Sequence, residues 1–542
     1  MSTSQRDDVD YPYSPKPAAV LLPRGRTSDS PAMPRRSWRF LGKWLLRLAS
    51  AAAVMMAIAL IPVGIVGYRA RSQAAAIERL ESLGCRVDYL GQHLYSGLSG
   101  RWQNYVREKF GPEHFGDVFL VSAVGLDPSV DASQVCDLCS RFDRLEHFAI
   151  GSQSFRFDQI ARWKQLDNLN HLTIDSPTLT DADLVRIGQM PRLNTLDLNA
   201  PKVTSAGLHH LNGAAELSVL VIDSAALDGS GAANEAGLPK LKNLTIYHSP
   251  QLRDAGIVNL GPMPELTHVT FTSSTLGDVA IKHVARGGKL YSATLSGTKI
   301  TDQGLESLAN GSELFSLELV GTQVSDAGVA ALAACQNLND LNVAETKVTG
   351  KGLSVLSGNN LTLRMDKCTV TDESLRDVLK VPGLADLSLE DTNVTGAGLG
   401  DLLATTSLFR INLAGTTLTR EGVQSLAKSK IPSIHLARTG IDDNTLMLFA
   451  DSNTISELDV RETKVTKQGV KSFYEARKKR LAAAGREESL ILTCDHPEIA
   501  QQYLPDSIPF TGDFPSPEPD GSLPPDSSEP PPDAAPTIVN PN

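Results

Sequence analysis

Arginine, carboxylate and imidazole side chains recur at matched places in the second half of this chain: Arg364, Asp366, Glu390, Arg410, His435 and Arg438. A guanidinium presents a planar fork of donors, and carboxylates accept in return. Such a set suits polar recognition, so these six are the candidate partner-binding residues for a protein or other macromolecular ligand. They stand out because matching places upstream hold small neutral residues, namely Thr270, Thr272, Ser292, Thr294 and Ser296. The competing reading of the same charges is a solvated ladder that neutralises itself.

No pattern points to catalysis. The phosphate loop G-x-x-x-x-G-K-[S/T], the nucleophile elbow G-x-S-x-G and the zinc motif H-E-x-x-H do not occur. The glycines from Gly396 to Gly400 belong to a repeat rather than to a phosphate loop. Cys136 and Cys139 form one C-x-x-C, and a four-cysteine zinc site needs a second pair. They read as packing residues, with a local disulfide or redox role as the other option. His209 and His210 fall in a repeat helix and read as structural. The expectation is a chain that is not an enzyme and has no metal and no cofactor.

The elements that position these residues follow from a repeat. Apolar anchors fall at Leu179, Val203, Leu227, Leu252, Leu276, Ile300, Val324, Val348, Val370, Val394, Leu418, Ile441 and Val465, separated by 22 to 25 residues. Val130 and Phe155 extend the series upstream. In one unit Leu317 and Leu319 lie two apart and share a strand face, while Glu318 and Val320 point to the open side. A threonine follows, as at Thr298, Thr322, Thr346, Thr392, Thr416, Thr439 and Thr463, with Cys368 once. Then come Ser or Thr and commonly Asp, read as the cap and first turn of a short helix. Leu305 and Leu308 illustrate the apolar side of that helix. A glycine four places after the anchor (Gly207, Gly256, Gly304, Gly328, Gly352, Gly398, Gly422, Gly469) is expected to serve close packing against the neighbouring turn or a special backbone angle. A fixed period of this length means a leucine-rich-repeat solenoid. The fold expected is an α/β horseshoe with a parallel inner sheet, outer short helices and a single N-terminal transmembrane helix.

The transmembrane expectation rests on 21 uncharged residues from Leu48 to Tyr68, about what spans a bilayer core. Arg35, Arg36, Arg39, Lys43 and Arg47 precede the span and Arg69, Arg71, Arg79 and Arg86 follow it. Five basic residues against four favour a cytoplasmic N-terminus and extracytoplasmic repeats. The expected order is a disordered basic cytoplasmic tail over 1–43, the anchor over 44–69, a stalk and N-terminal cap over 70–117, repeats over 118–466, a C-terminal cap over 467–495, and a Pro-rich, acidic, disordered tail over 496–542. Helices are expected in residues 72–82, with Ala75, Ile77 and Leu80 on the apolar stripe, and in 102–110. The run Arg477-Lys478-Lys479-Arg480 reads as a solvated helix face. Net charge is −11. Eight of those charges sit beyond Asp495, and the acidic balance argues against a nucleic-acid partner.

The pattern L-x-x-L-x-L-x-G-T-x-V-T-D-x-G-L, seen from Leu193 to Leu208 and from Leu314 to Val329, resembles the cysteine-containing, ribonuclease-inhibitor-like class of leucine-rich repeats. Thr in place of Cys or Asn, with one N-terminal anchor, resembles bacterial membrane-anchored leucine-rich-repeat proteins of undefined function. The resemblance covers residues 118–495 and implies recognition of a protein or ligand through the concave face. A structural envelope spacer and a cytosolic adaptor of the F-box type are the other readings; no F-box-like segment is visible.

Overall fold

The computed structural model describes residues 73–89, 118–309, 313–358, 360–396, 408–483, 485 and 489–503. The span from Leu48 to Tyr68, the helix expected over 102–110 and most of both expected tails lie outside these residues. Among the described residues no helix is long and apolar enough to cross a membrane.

Among the described residues seventeen strands form one sheet in chain order. They are β1 (Arg86–Tyr89), β2 (Val118–Ala123), β3 (His147–Gly151), β4 (His171–Asp175), β5 (Thr195–Asn199), β6 (Val219–Asp223), β7 (Asn243–Tyr247), β8 (His268–Phe271), β9 (Ser292–Thr294), β10 (Ser316–Glu318), β11 (Asp340–Asn342), β12 (Leu361–Arg364), β13 (Leu384–Ser388), β14 (Arg410–Asn412), β15 (Ser433–His435), β16 (Glu457–Asp459) and β17 (Ile491–Thr493). From β2 onward each strand is parallel to the next, with Leu317 opposite Ala293 and Leu341. Parallel neighbours need a crossover, and here it is a turn with a short helix or helical turn. Alternation then sorts the side chains. In β4, Leu172 and Ile174 are buried, while His171 and Thr173 face the open side. Leu305 and Leu308 on the helix Asp302–Ala309 close the core from the opposite layer.

The ends are capped. Strand β1 pairs antiparallel with β2, Val87 opposite Val121. A helix over 73–82 packs beside it through Ala76, Ile77 and Leu80. Ala75, expected on that stripe, is exposed instead, because Ala76 and Leu80, four apart, share the inner face. At the other end the helix Lys467–Ala483 covers the last repeat and β17 extends the sheet. The cap also runs past the expected boundary. Pro497–Ala500 is helical, Ala500 is fully buried, and Glu498 pairs with Lys467 at 2.9 Å.

The basic run on the capping helix is only partly a solvated face. Arg477 is buried and donates to the carbonyls of Phe449 and Ser452 at 3.3 and 3.0 Å, with its guanidinium over the Phe473 ring. Arg480 reaches the carbonyls of Ala450 and Ser452. Both cap the end of the preceding helical turn, Met447–Asp451, where carbonyls lack partners of their own.

Stacking depends on a clasp that joins consecutive repeats. The aspartate expected to serve its own helix reaches forward. Asp278 accepts the backbone N–H of Thr301 at 2.8 Å and its hydroxyl at 2.6 Å. Asp302 does the same to Ser325 at 2.7 and 2.6 Å, Asp181 to Thr204 at 2.8 and 2.7 Å, and Asp443 to Thr466 at 2.8 and 2.7 Å. The repeat glycine makes room for it. A Cβ on Gly207 would sit 2.2 Å from Asp181 Oδ1, on Gly328 2.4 Å from Asp302 Oδ1, and on Gly469 1.9 Å from Asp443 Oδ1. None of these three has positive φ, so close approach explains them.

The threonine column works within each repeat. Thr298, Thr322, Thr392, Thr416 and Thr439 each donate to the carbonyl three residues earlier at 2.6–2.7 Å. The Cys368 thiol instead reaches Val343 O in the preceding repeat at 3.1 Å. The early repeats turn differently. Ser224 and Ser249 donate to Val203 O and Ser224 O of the preceding repeat, each at 2.8 Å.

Candidate recognition surface

The strand register sets Asp340, Thr362, Asp386, Arg410, Ser433 and Glu457 in one row across the open face of β11 to β16. A second row beside it holds Asn342, Arg364, Ser388, Asn412, His435 and Asp459. One ion pair and two hydrogen-bonded chains run over these rows and divide the six candidate residues between them.

Arg364 stands in the separate pair, and the first chain holds Arg410 and His435. Arg364 bonds Asp340 at 3.2 Å, and Arg410 bonds Asp386 at 3.2 Å and Ser433 Oγ at 3.3 Å. Ser433 donates to Glu457 at 2.5 Å, and His435 Nε2 lies 3.6 Å from the other Glu457 oxygen. The His435 bond, the Ser433 hydroxyl and nearby Arg410 pull the Glu457 carboxyl down to about 2 against the opposing effect of burial. Burial pushes Asp386 up, while Arg410 and Arg364 oppose it.

The second chain holds Asp366, Glu390 and Arg438. Asp366 accepts the Ser388 hydroxyl at 2.5 Å and the Glu390 N–H at 2.8 Å. These two bonds tie adjacent turns together, and burial raises the Asp366 carboxyl against them. Asn412 bridges Ser388 and Glu390 at 3.1 and 3.2 Å. Arg438 bonds Glu390 and, at 3.0 Å, Asp391. The candidates therefore engage one another and their neighbours.

Beside these rows runs a column of left-handed turn residues. Gly297, Gly321 and Gly415 occupy it in three repeats, but Glu345, Lys367, Asp391, Arg438 and Glu462 occupy it in five others, all with φ between 53° and 70°. A side chain there costs roughly 1–2 kcal/mol. Lys367 and Glu345 pair at 2.6 Å.

The other half of the open face carries a feature that the sequence reading missed. Asp175, Asp197 and Asp223 lie on β4, β5 and β6. Burial, then mutual repulsion, raises the carboxyls of Asp175 and Asp197. Asp223 bonds His248 Nδ1 at 2.8 Å. His147 and His171 stack on the adjacent row, 5.3 Å apart. Acid residues at the same strand end in alternate repeats, Asp175 and Asp223, were the available signal. A cavity of about 230 Å³ lies nearby, lined in part by Leu126, Asp127, Ser152 and Asp175.

The remaining sequence candidates are structural in setting. Cys136 and Cys139 are buried free thiols on the helix Ala132–Cys139. Burial pushes Cys136 up to about 12 and Cys139 well above its ordinary value. A reactive thiol needs the opposite shift. His209 and His210 follow the short helix Ser205–Leu208 with rings 6.0 Å apart. Among the described residues no group of three His, Cys, Asp or Glu side chains is arranged to hold a metal ion.

Parallel strands, each returning through a turn and a short helical segment, define a leucine-rich-repeat solenoid. No protein-family model matches the chain, and no curated protein matches it. Solved structures similar to it include a leucine-rich-repeat protein of Leptospira interrogans, at 14% identity over 65% of this chain and 92% of that one, with a TM-score of 0.42. An internalin of Listeria monocytogenes is 18% identical over 56% of this chain and 76% of its own, with a TM-score of 0.36. A structure described as a TDR receptor is 12% identical over 61% and 66%, with a TM-score of 0.37. At these identities and scores the likeness carries no functional argument.

Proposed function

We propose that this chain is a membrane-anchored, non-catalytic recognition protein that binds a protein or other macromolecular ligand on the open face of its repeats. The supporting observation is the concentration of Arg364, Asp366, Glu390, Arg410, His435 and Arg438 on that face over β12 to β15, with the helices on the opposite side. Partly exposed guanidinium groups held in place by neighbours are suited to specificity and association rate. The span from Leu48 to Tyr68 supplies the anchor in this reading, and the repeats stand outside the cytoplasm. Neither a cofactor nor a nucleic acid enters it.

A structural envelope spacer is the second reading. The mutual pairing of Arg364, Arg410 and Arg438 with carboxylates of neighbouring repeats favours it. Proximity labelling from intact membranes, using the full-length chain and an Arg364→Gln/Arg410→Gln variant, separates the two. Recognition through this face predicts a labelled partner that the folded variant loses. An unchanged set of labelled proteins removes these residues from the site and leaves the spacer.

A further inference from the structure

Among the later repeats three lack the aspartate that clasps the next one: Gly350, Gly396 and Arg420 stand in its place, as Ser205 and Gly229 do upstream. Gly350 and Gly396 are receivers only. Their N–H groups donate back to Asp326 at 2.9 Å and to Asp372 at 3.0 Å, and both have positive φ. Clasps therefore join the repeat of β10 to that of β11, β12 to β13, and β15 to β16, but skip the joints between these sets.

The open face compensates at the same three joints. Between β11 and β12 lie Arg364–Asp340 at 3.2 Å and Lys367–Glu345 at 2.6 Å. Between β13 and β14 lies Arg410–Asp386 at 3.2 Å. Between β14 and β15 Arg410 reaches Ser433 Oγ, and Arg438 spans the whole β14 repeat to Asp391 at 3.0 Å. Gly415 leaves the gap for that span, since a Cβ on it would lie 1.8 Å from Asp391 Oδ1 and 3.3 Å from the Arg438 guanidinium. The clasped strands β9 to β11 have no Lys or Arg at all.

We infer that the later part of the solenoid, from β9 to β16, is built in two regimes: aspartate-clasped joints, and joints within β11 to β15 that lack the clasp, are held by open-face ion pairs and loosen when those pairs are screened. Half-exposed pairs are weakened by salt, since the Debye length falls from about 8 Å at physiological ionic strength to about 3 Å at 1 M. Neutral bonds within the core and the enclosed clasps respond much less. This joint device does not depend on the face binding a partner.

Hydrogen exchange of the full-length chain, read peptide by peptide at about 0.05 and about 1 M NaCl, tests it. Amides of β12 to β15 should exchange about three- to fivefold faster at high salt, the scale of one or two exposed ion pairs. Those of β10 should not change, whereas β9, beside the exposed Lys289–Glu265 pair at 2.8 Å, is no control. Arg410→Gln and Asp386→Asn should each raise exchange in β13 and β14 at low salt and remove most of the salt response there, and the double variant should add little. Equal salt responses in the two segments, or wild-type exchange in both single variants, would overturn the inference.

Discussion

Asp302 serves the repeat that follows it more than its own. It accepts two hydrogen bonds from Ser325, and Gly328 has no side chain where the carboxylate lies. Asp302→Ala strands a half-buried N–H and hydroxyl and should cost about 1–3 kcal/mol in urea unfolding. Gly328→Ala drives a methyl into the same carboxylate and should cost about 1–3 kcal/mol. Because the carboxylate is the nearest of the contacts they share, the double variant should lose less than the sum, although a Cβ on Gly328 would still lie 2.9 Å from the Asp302 Cα. Gly321→Ala is the control: nothing lies within 4 Å of its Cβ, so only its φ of 68° matters. Its cost of roughly 1–2 kcal/mol should add to that of Asp302→Ala. Additivity at Gly328 would mean that the glycine serves something other than the clasp. Glu457 gives a pH readout. Its carboxyl, drawn down to about 2 chiefly by His435 and then by Ser433, stabilises the fold above the ordinary value of 4.5. That contribution disappears as pH falls from 4.5 towards 2. Glu457→Gln should therefore flatten the stability profile across that window and leave it nearly parallel to wild type at higher pH.

At the scale of one strand-turn-helix unit, the core is the part most directly encoded. Leu317 and Leu319 are buried as their two-residue spacing requires. Leu317→Ala should cost about 2–5 kcal/mol, and protease should first cut near β10 because repeat contacts reach only to neighbours. A melt matching wild type would mean the strand register is wrong. The capping helix carries a second prediction. Arg477→Ala removes the donor that satisfies Phe449 O and Ser452 O and opens a void beside Phe473, so the last repeats should melt before the rest. A single unshifted transition would count against that role. Period, strand faces and anchors were legible because each is a local spacing. The destination of a side chain was not. Asp302 reads as a helix first-turn acid until the next repeat is stacked against it. Arg477 reads as solvated until the preceding turn supplies carbonyls. The six candidate residues were legible as a charged set, but their division into one pair and two chains depends on which rows the strand register brings side by side.

The whole molecule raises a question of orientation, because recognition outside the cell and an internal scaffold would use the same repeats. The proposed topology rests on a narrow margin: five basic residues close before the span from Leu48 to Tyr68 against four close after it. Positive charge resists translocation, so the richer side should remain in the cytoplasm. A reporter active only outside the cytoplasm, fused after Asn542, should then be active, and a cytoplasm-only reporter at the same place should be silent. Protease added to intact cells with a permeable envelope should reach the repeats. The margin itself can be turned over. Arg35→Gln, Arg36→Gln and Arg39→Gln together leave only Lys43 and Arg47 close before the span, against four basic residues close after it. If flanking charge sets the orientation, this variant should appear partly or wholly inverted, with reporter activity shifting towards the cytoplasmic form while the repeats fold as before. A variant that keeps the original reporter pattern would show that charge does not decide the orientation. A wild-type chain that lights only the cytoplasmic reporter would place the open face inside the cell and remove the extracytoplasmic reading altogether.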